Sequence, residues 1–330
     1  MKRDVLYAMT DDGVKLPIID VTHPAFAVTA TDGDLAAMSE QFVLESNQRQ
    51  EMPASLRDAL SRSVLGQALM AASGSFLSGV STYLFKLGPD NLWGDAQPID
   101  RRIAASFPAL TSRVRLQDMA RLLADGLMLS INVEPHRPVC LVNIAGGTAA
   151  DTWNAMIRLQ QSNVLMGREI IAAILDIDDR GPGFGMRALA ALRAEGAPLS
   201  GLDIACRYIR YEWADPEQLR QALEDLQAVD AACGVSSEGG LFEYGSDAEI
   251  AANLEALYAG TAPDATVVGS VTRDGEPVRA SQGATRLAAR PRTIEGFRHL
   301  VEPAGWIVDE VIERPFSYHV RLAKSGRGRC

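Results

Sequence analysis

From about residue 135 onward the chain alternates short apolar runs with amphipathic stretches of helical spacing, and no other feature restricts its fold as much. A buried strand followed by a helical crossover reads this way, and repetition of that unit builds a doubly wound parallel sheet. PVCLVNIA, IIAAILDID, LDIACRYI, VDAACGVS and ATVVGSV read as five such strands. Two further runs, WIVDEVIER and FSYHVRLAK, follow the helical stretch TIEGFRHLVEPAG and are separated only around Arg314 and Pro315. So short a link permits only an antiparallel hairpin. The expected fold class is α/β, a doubly wound sheet with a closing antiparallel hairpin.

The preceding part has a different texture. A chain of 330 residues at roughly 150 per domain allows about two domains. The predicted division is a mainly helical N-terminal cap or lid over residues 1–130 and a ligand-binding α/β domain over 131–330. Residues 25–50 and 53–73 carry helical spacing, Val114, Met119, Leu122 and Leu123 form one apolar stripe, and no strand series is expected there. KLGPDNLWGDAQPID reads as a loop between two helical groups. The stretch from Ser63 to Phe85 has no charge and the length of a membrane span. Its serines, glycines, Gln67 and Thr82 make it too polar to face lipid, which leaves one or two helices buried in the protein and roofing a ligand. Asp11 and Asp12 interrupt the N-terminus before an apolar signal core can form, so a cytoplasmic location is expected.

Charge and cysteine usage narrow the partners. Forty-two acidic against 32 basic residues give a net charge of -10, which repels nucleic acid and anionic membranes. Cys140, Cys206, Cys233 and Cys330 stand far apart without a CxxC pair, arguing for a reducing compartment and against a metal site or disulfide framework. The expected partner is a small-molecule substrate, and the helical N-terminal segment is of a kind that suits a homodimer.

Four stretches carry candidate chemistry. In LVNIAGGTAAD, after the first strand, Asn143, Ala145, Gly146 and Gly147 make a small-residue turn that lets backbone approach a ligand at a helix N-terminus. A structural βα turn is the plainer reading. In ILDID, Asp176 ends the second strand, where a carboxylate can accept both hydroxyls of a ribose. Its distance from the turn, roughly 30 residues, exceeds the usual 20 or so. In YIRYEWADPEQL, Trp213 and Asp215 follow the third strand, and Asp215 before Pro216 serves equally as a helix N-cap. In VSSEGGLFEYGSDAEIAANL, Ser236, Ser237, Glu238 and Tyr244 come to the carboxyl edge of the sheet, where open α/β folds bind ligands. Of four histidines, only His23 is placed to reach a pocket from a lid. His136, His299 and His319 fall in no recognisable dyad and read as structural.

Five βα units, the glycine turn, a helix ending in Ala304, Gly305 and Trp306, and the closing hairpin together resemble the class I methyltransferase fold, over residues 110–325. The resemblance implies S-adenosylmethionine as cosubstrate. It puts Asn143 where the family carboxylate meets the ligand's amino group, Asp176 on the ribose, and Ile177, Trp213 and Asp215 on the adenine. The family pattern acidic-x-Gly-x-Gly-x-Gly aligns as Asn143, Ala145, Gly147 and Ala149, so only the central glycine is kept. Arg113, Arg115 and Asp118, with Glu238, Gly239 and Tyr244, are similar to two motifs of leucine carboxyl methyltransferase-like enzymes, which include polyketide carboxyl O-methyltransferases. That likeness implies that one of the two arginines holds the ligand's carboxylate, the exposed face of a helix being the alternative. Azetidine-2-carboxylate synthases are similar in layout, a methyltransferase-like domain under a large helical cap. For either chemistry Tyr83, Tyr208, Tyr211 and Tyr244 are the candidate faces for a sulfonium, and Glu238 is carried with Tyr83, Tyr211 and Tyr244 as a catalytic candidate. The implied function is transfer of a methyl group to O or N of a small molecule. The alternatives are cyclisation of the ligand with release of methylthioadenosine, or a silent ligand-binding protein on the same fold.

Overall fold

The N-terminal part carries a ribbon of two three-residue strands, β1 (Tyr7–Met9) and β2 (Lys15–Pro17), paired antiparallel. This one short ribbon is added to a part expected to be mainly helical and without a strand series. Strands this short leave no readable alternation; Thr10 accepts the Val14 amide at 2.8 Å and Gly13 turns the chain at φ 82°. The computed structural model describes residues 4–48, 54–72, 77–134, 136–282 and 288–326, so Cys330 lies outside the described residues.

The helices α1 (Asp32–Asn47), α2 (Ala54–Ser61), α3 (Val64–Ala71), α4 (Gly79–Lys86) and α5 (Pro98–Ala104) follow, then the long α6 (Phe107–Ile131). The uncharged stretch from Ser63 to Phe85 contains α3 and all of α4 but its last residue, Lys86, and two of its serines are their N-caps. Ser63 accepts from the Gly66 amide at 2.9 Å and Ser78 from the Ser81 amide at 3.2 Å. Among the described residues no helix is long and apolar enough to cross a membrane. The expected boundary at residue 130 falls in the last turn of α6. The predicted stripe of that helix, Val114, Met119, Leu122 and Leu123, is buried. Gly126 lets α6 approach the sheet, since a Cβ there would lie 2.5 Å from the Thr266 hydroxyl.

All seven strands read from the sequence form one sheet: β3 (Val139–Ile144), β4 (Glu169–Asp176), β5 (Asp203–Arg210), β6 (Ala232–Ser237), β7 (Thr266–Thr272), β8 (Trp306–Glu313) and β9 (Ser317–Lys324). The crossovers carry α7 (Ala150–Gln161), α8 (Arg180–Leu192), α9 (Pro216–Asp225), α10 (Leu241–Tyr244), α11 (Asp247–Gly260), α12 (Glu276–Gln282) and α13 (Ile294–Val301). The strand order is β5-β4-β3-β6-β7-β9-β8, with β9 antiparallel between β7 and β8. This is the class I methyltransferase arrangement. Strand order reverses between β3 and β6, and the carboxyl ends of strands at such a switch point are where open α/β folds bind ligands.

Alternation along the strands sends side chains to two cores. Leu141, Ile170, Ile174 and Val268 face α6, α7 and α8, and share their core with Leu16, Ile19, Phe26, Leu65 and Tyr83 of the N-terminal part. Cys140, Val142, Val235 and Leu322 face the other side, with Leu219, Leu254, Phe297 and Trp306. The N-terminal helices are therefore built onto the face of the sheet that carries α6 and α7.

Candidate functional site

At the end of β3 the chain turns sharply, with Ala145, Gly147 and Ala149 at φ 52°, 61° and 53°. Two alanines in the left-handed region cost about 1 kcal/mol each or more, and neighbouring side chains hold them there. Asn143 Oδ1 accepts the Gly146 amide at 3.1 Å, and Asp176 Oδ2, from the end of β4, accepts the Gly147 amide at 3.0 Å. Asp176 Oδ1 accepts the Asp178 amide at 3.0 Å. The Ile177 amide also acts on this carboxylate. Burial pushes this carboxyl above its ordinary range, against the backbone amides that favour its charge.

On the face toward α6 and α7, polar residues form a buried band just below the crest of the sheet. Asn143 Nδ2 donates to Asp151 Oδ1 at 2.9 Å and lies 3.0 Å from Ser236 Oγ, which is itself 3.1 Å from Thr152 Oγ1. Asn143 and Ser236 are buried and joined to these partners, so the amine-contacting part expected of Asn143 goes to an internal network. Beyond Ser236 comes Glu238, which accepts from Lys86 of α4 and, at 2.6 Å, from Arg115 Nε of α6. Arg115 also donates to Glu243 at 3.0 Å. Burial opposes the charge on Glu238, but Lys86 and Arg115 outweigh it and hold the carboxyl down at about 2. Asp151 is pushed up to about 6 by burial and by Glu238, with Lys86 acting the other way.

The band continues onto the closing strands. Ser270 accepts the Gly239 amide at 2.9 Å. Opposite it in register, His319 lies 3.0 Å from Asp118 Oδ2 through Nδ1 and 2.9 Å from Ser317 Oγ through Nε2. The imidazole is fully buried, and burial lowers its pKa against the pull of Asp118. A neutral ring beside a carboxylate donates from Nδ1, so Nε2 accepts the Ser317 proton. Asp118 is also bound by Arg314 at 2.7 Å. The expectation that His319 belongs to no dyad is corrected.

The other predicted residues are distributed as follows. Arg113 and Arg115 differ: Arg115 joins the buried band, whereas Arg113 lies half-buried against Gly88, near Asp90. Tyr83 is not placed as a catalytic group, because its hydroxyl donates to the Pro17 carbonyl at 2.8 Å and accepts the Ile19 amide at 2.9 Å. Tyr211 is buried on the far face with its hydroxyl on Asn253. Tyr244 is half-buried near Arg115 and Glu243, and Tyr208 donates to the Asp176 carbonyl at 3.1 Å. Ile177 is exposed, and Trp213 is half-buried with its carbonyl on Asn253. Asp215 caps α9 through the Glu217 amide at 3.2 Å. Lys86, Thr152 and Ser317 escaped the sequence reading, as did the burial of Asp151 and the pairing of Asp118 with His319.

Helix α4 lies directly on the turn. A Cβ on Gly79, the first residue of α4, would come within 2.7 Å of Gly147 Cα and 3.1 Å of Gly181 Cα. Three glycines from three elements thus meet backbone to backbone, and α4 spans from the glycine turn at one end to Glu238 at the other. For a nucleoside bearing a cationic amino-acid tail the residues fit. Asp176 stands at the crest, bound to the glycine turn, and buried Asp151 Oδ2 has no hydrogen-bond partner.

No family model matches the chain, and no curated protein matches its sequence. Solved structures do. One described as a possible exported protein from Bordetella parapertussis is 18% identical with a TM-score of 0.59, covering 91% of this chain and 98% of that one. A DUF574 family protein from Streptomyces avermitilis is 14% identical with a TM-score of 0.49, over 74% and 97% of the two chains. A Burkholderia thailandensis 1,6-didemethyltoxoflavin-N1-methyltransferase with bound S-adenosylhomocysteine is 15% identical with a TM-score of 0.40, over 64% and 77%. At this identity the likeness to the first of these, over 91% of the chain, establishes the fold alone.

Proposed function

We propose that the protein is a transferase that uses S-adenosylmethionine to methylate a small molecule at O or N. One observation carries the reading: at the switch point of a sheet with the methyltransferase strand order, the acid that ends β4 is hydrogen-bonded to the glycine turn that ends β3. Asp176 then receives the ribose hydroxyls, with Ile177 and Trp213 toward the adenine. The helices before α6 act as a cap that excludes water, and Arg115 and Tyr244 border the reacting end. In the reaction the acceptor's lone pair forms the new bond to the methyl carbon as the carbon–sulfur bond breaks. The products are the methylated acceptor, S-adenosylhomocysteine and the proton that the acceptor releases. Such a displacement needs mainly proximity and a dry site. Free thiols at Cys140, Cys206 and Cys233 accord with a reducing, cytoplasmic setting.

A second reading is favoured by Asn143 and the cap over the site: the ligand's own amine attacks its γ-carbon, closing a four-membered ring and releasing methylthioadenosine. Incubation with S-adenosylmethionine alone separates the two by mass-detected chromatography. The methyltransferase leaves the compound intact until an acceptor is added, when S-adenosylhomocysteine appears. Enzyme-dependent methylthioadenosine over many turnovers, without acceptor, replaces the first reading with the second.

A further inference from the structure

The acid and the turn that would meet the nucleoside are both covered. Asp176 is 8% exposed, and Gly147 is buried. The first turn of α4 lies on Gly147: a Cβ built there would fall 2.5 Å from Gly79 Cα, and one built on Gly181, at the start of α8, 3.1 Å from Gly147 Cα. Backbones packed this closely leave no room for a third group, so a nucleoside cannot rest on Gly147 while Gly79 does.

The two ends of α4 are held unequally. Tyr83, Leu84, Phe85 and Lys86 are buried. The Tyr83 hydroxyl is bound to Pro17 and Ile19, its ring lies 4.9 Å from that of Phe184, and Lys86 is paired with buried Glu238. The first turn begins at exposed Ser78, and Gly79, Val80, Ser81 and Thr82 are only partly buried. Ser78 Oγ accepts the Ser81 amide at 3.2 Å and donates to the Ser81 hydroxyl at 3.0 Å, and the Ser78 carbonyl accepts the Thr82 amide. Among the described residues, the side chains of Ser78, Ser81 and Thr82 make no hydrogen bond outside this turn. A segment fixed by so few contacts opens before the core around it.

We propose that the first turn of α4 is an autoinhibitory plug: seated on Gly147 it shuts the nucleoside site, and ligand enters when that turn unwinds from the glycine turn while Tyr83 and Lys86 hold the rest of the helix. This rests on the S-adenosylmethionine reading of the site. The apparent dissociation constant is then the intrinsic one divided by the open fraction, so the fit of three glycines sets affinity together with the contacts to the ligand. A lid that closes over its ligand behaves oppositely, because it gains contacts when the site fills.

Hydrogen–deuterium exchange of the wild type, with and without saturating S-adenosylhomocysteine, reads the direction. Unwinding breaks the bonds of the Ser81 and Thr82 amides to Ser78, so the plug predicts severalfold faster exchange at these two amides in the complex. Slower or unchanged exchange there, in a wild type that binds, removes the plug and leaves the methyltransferase reading standing. Gly79→Ala is the second arm, since its methyl group would stand 2.7 Å from Gly147 Cα and wedge the plug open. Calorimetry should give the folded variant an affinity for S-adenosylhomocysteine about threefold or more above the wild type, the open fraction having risen. Equal or weaker binding by the folded variant overturns the plug; should the variant not fold, exchange in the wild type decides. A wild type that binds neither S-adenosylhomocysteine nor S-adenosylmethionine overturns the methyltransferase reading and the plug together.

Discussion

Lys86, the last residue of α4, donates to Glu238 at the end of β6, and both side chains are buried. This ion pair joins α4 to the edge of the sheet where the candidate site lies. Removing one partner of a buried pair leaves the other charge uncompensated and costs about 3 kcal/mol, whereas replacing both with uncharged groups is far less damaging. Lys86→Met is therefore expected to unfold at lower urea concentration than Lys86→Met combined with Glu238→Gln. If the effects of the two substitutions simply add in a double-mutant cycle, the pair is not the clasp described here.

The contact of Gly79 with Gly147 gives a steric prediction. Gly79→Ala places a methyl group 2.7 Å from a backbone carbon that cannot give way, which should cost about 1–3 kcal/mol. Gly33→Ala in α1 is the control. Its nearest neighbour would be Thr31 Oγ1 at 3.7 Å, and helix propensity should make it neutral or stabilising by up to about 1 kcal/mol. Thermal unfolding of the two variants checks this; equal midpoints would mean the three-glycine contact is loose.

Asp151 and His319 push stability in opposite directions with pH. A carboxyl whose pKa is raised to about 6 on folding contributes stability below its unfolded value that is lost as pH rises through 6. Asp151→Asn should therefore be more stable than the wild type at pH 7.5, by about 2 kcal/mol at most, and lose that advantage at pH 4.5. A uniform destabilisation would mark Asp151 as a purely structural group.

His319 titrates low because it is buried. Its contribution is present above the ordinary histidine value of about 6.5 and lost as pH falls below it. His319→Gln keeps a donor and an acceptor on the Ser317 to Asp118 line. Urea midpoints at pH 7.5 and pH 5 should fall less for this variant than for the wild type. An unchanged difference would show that folding leaves the His319 pKa where it is in the unfolded chain.

The sheet was legible because buried parallel strands are unbroken apolar runs, and the hairpin because Arg314 and Pro315 leave no room for a crossover. Asp176 and Gly147 could be paired in advance, since strand ends and turns have positions in sequence. Lys86 and Asp151 could not. A lysine ending a helix and an aspartate in a first turn look like ordinary surface partners of the helix dipole, and only tertiary packing buries them. The line from Asp118 to His319 joins positions 201 apart in sequence. Tyr83 and Tyr211 were overvalued for the converse reason: sequence gives the ring but not the direction of its hydroxyl, and both hydroxyls are satisfied internally.

Calorimetric titration of the wild type and Asp176→Ala with S-adenosylhomocysteine tests the central claim most directly. The wild type should bind in the micromolar range or tighter. Asp176→Ala should weaken binding by about 1.5–3 kcal/mol, the scale of charge-assisted hydrogen bonds to a ribose. Absence of heat with S-adenosylhomocysteine and S-adenosylmethionine alike, or unchanged affinity in a folded Asp176→Ala, would contradict the account.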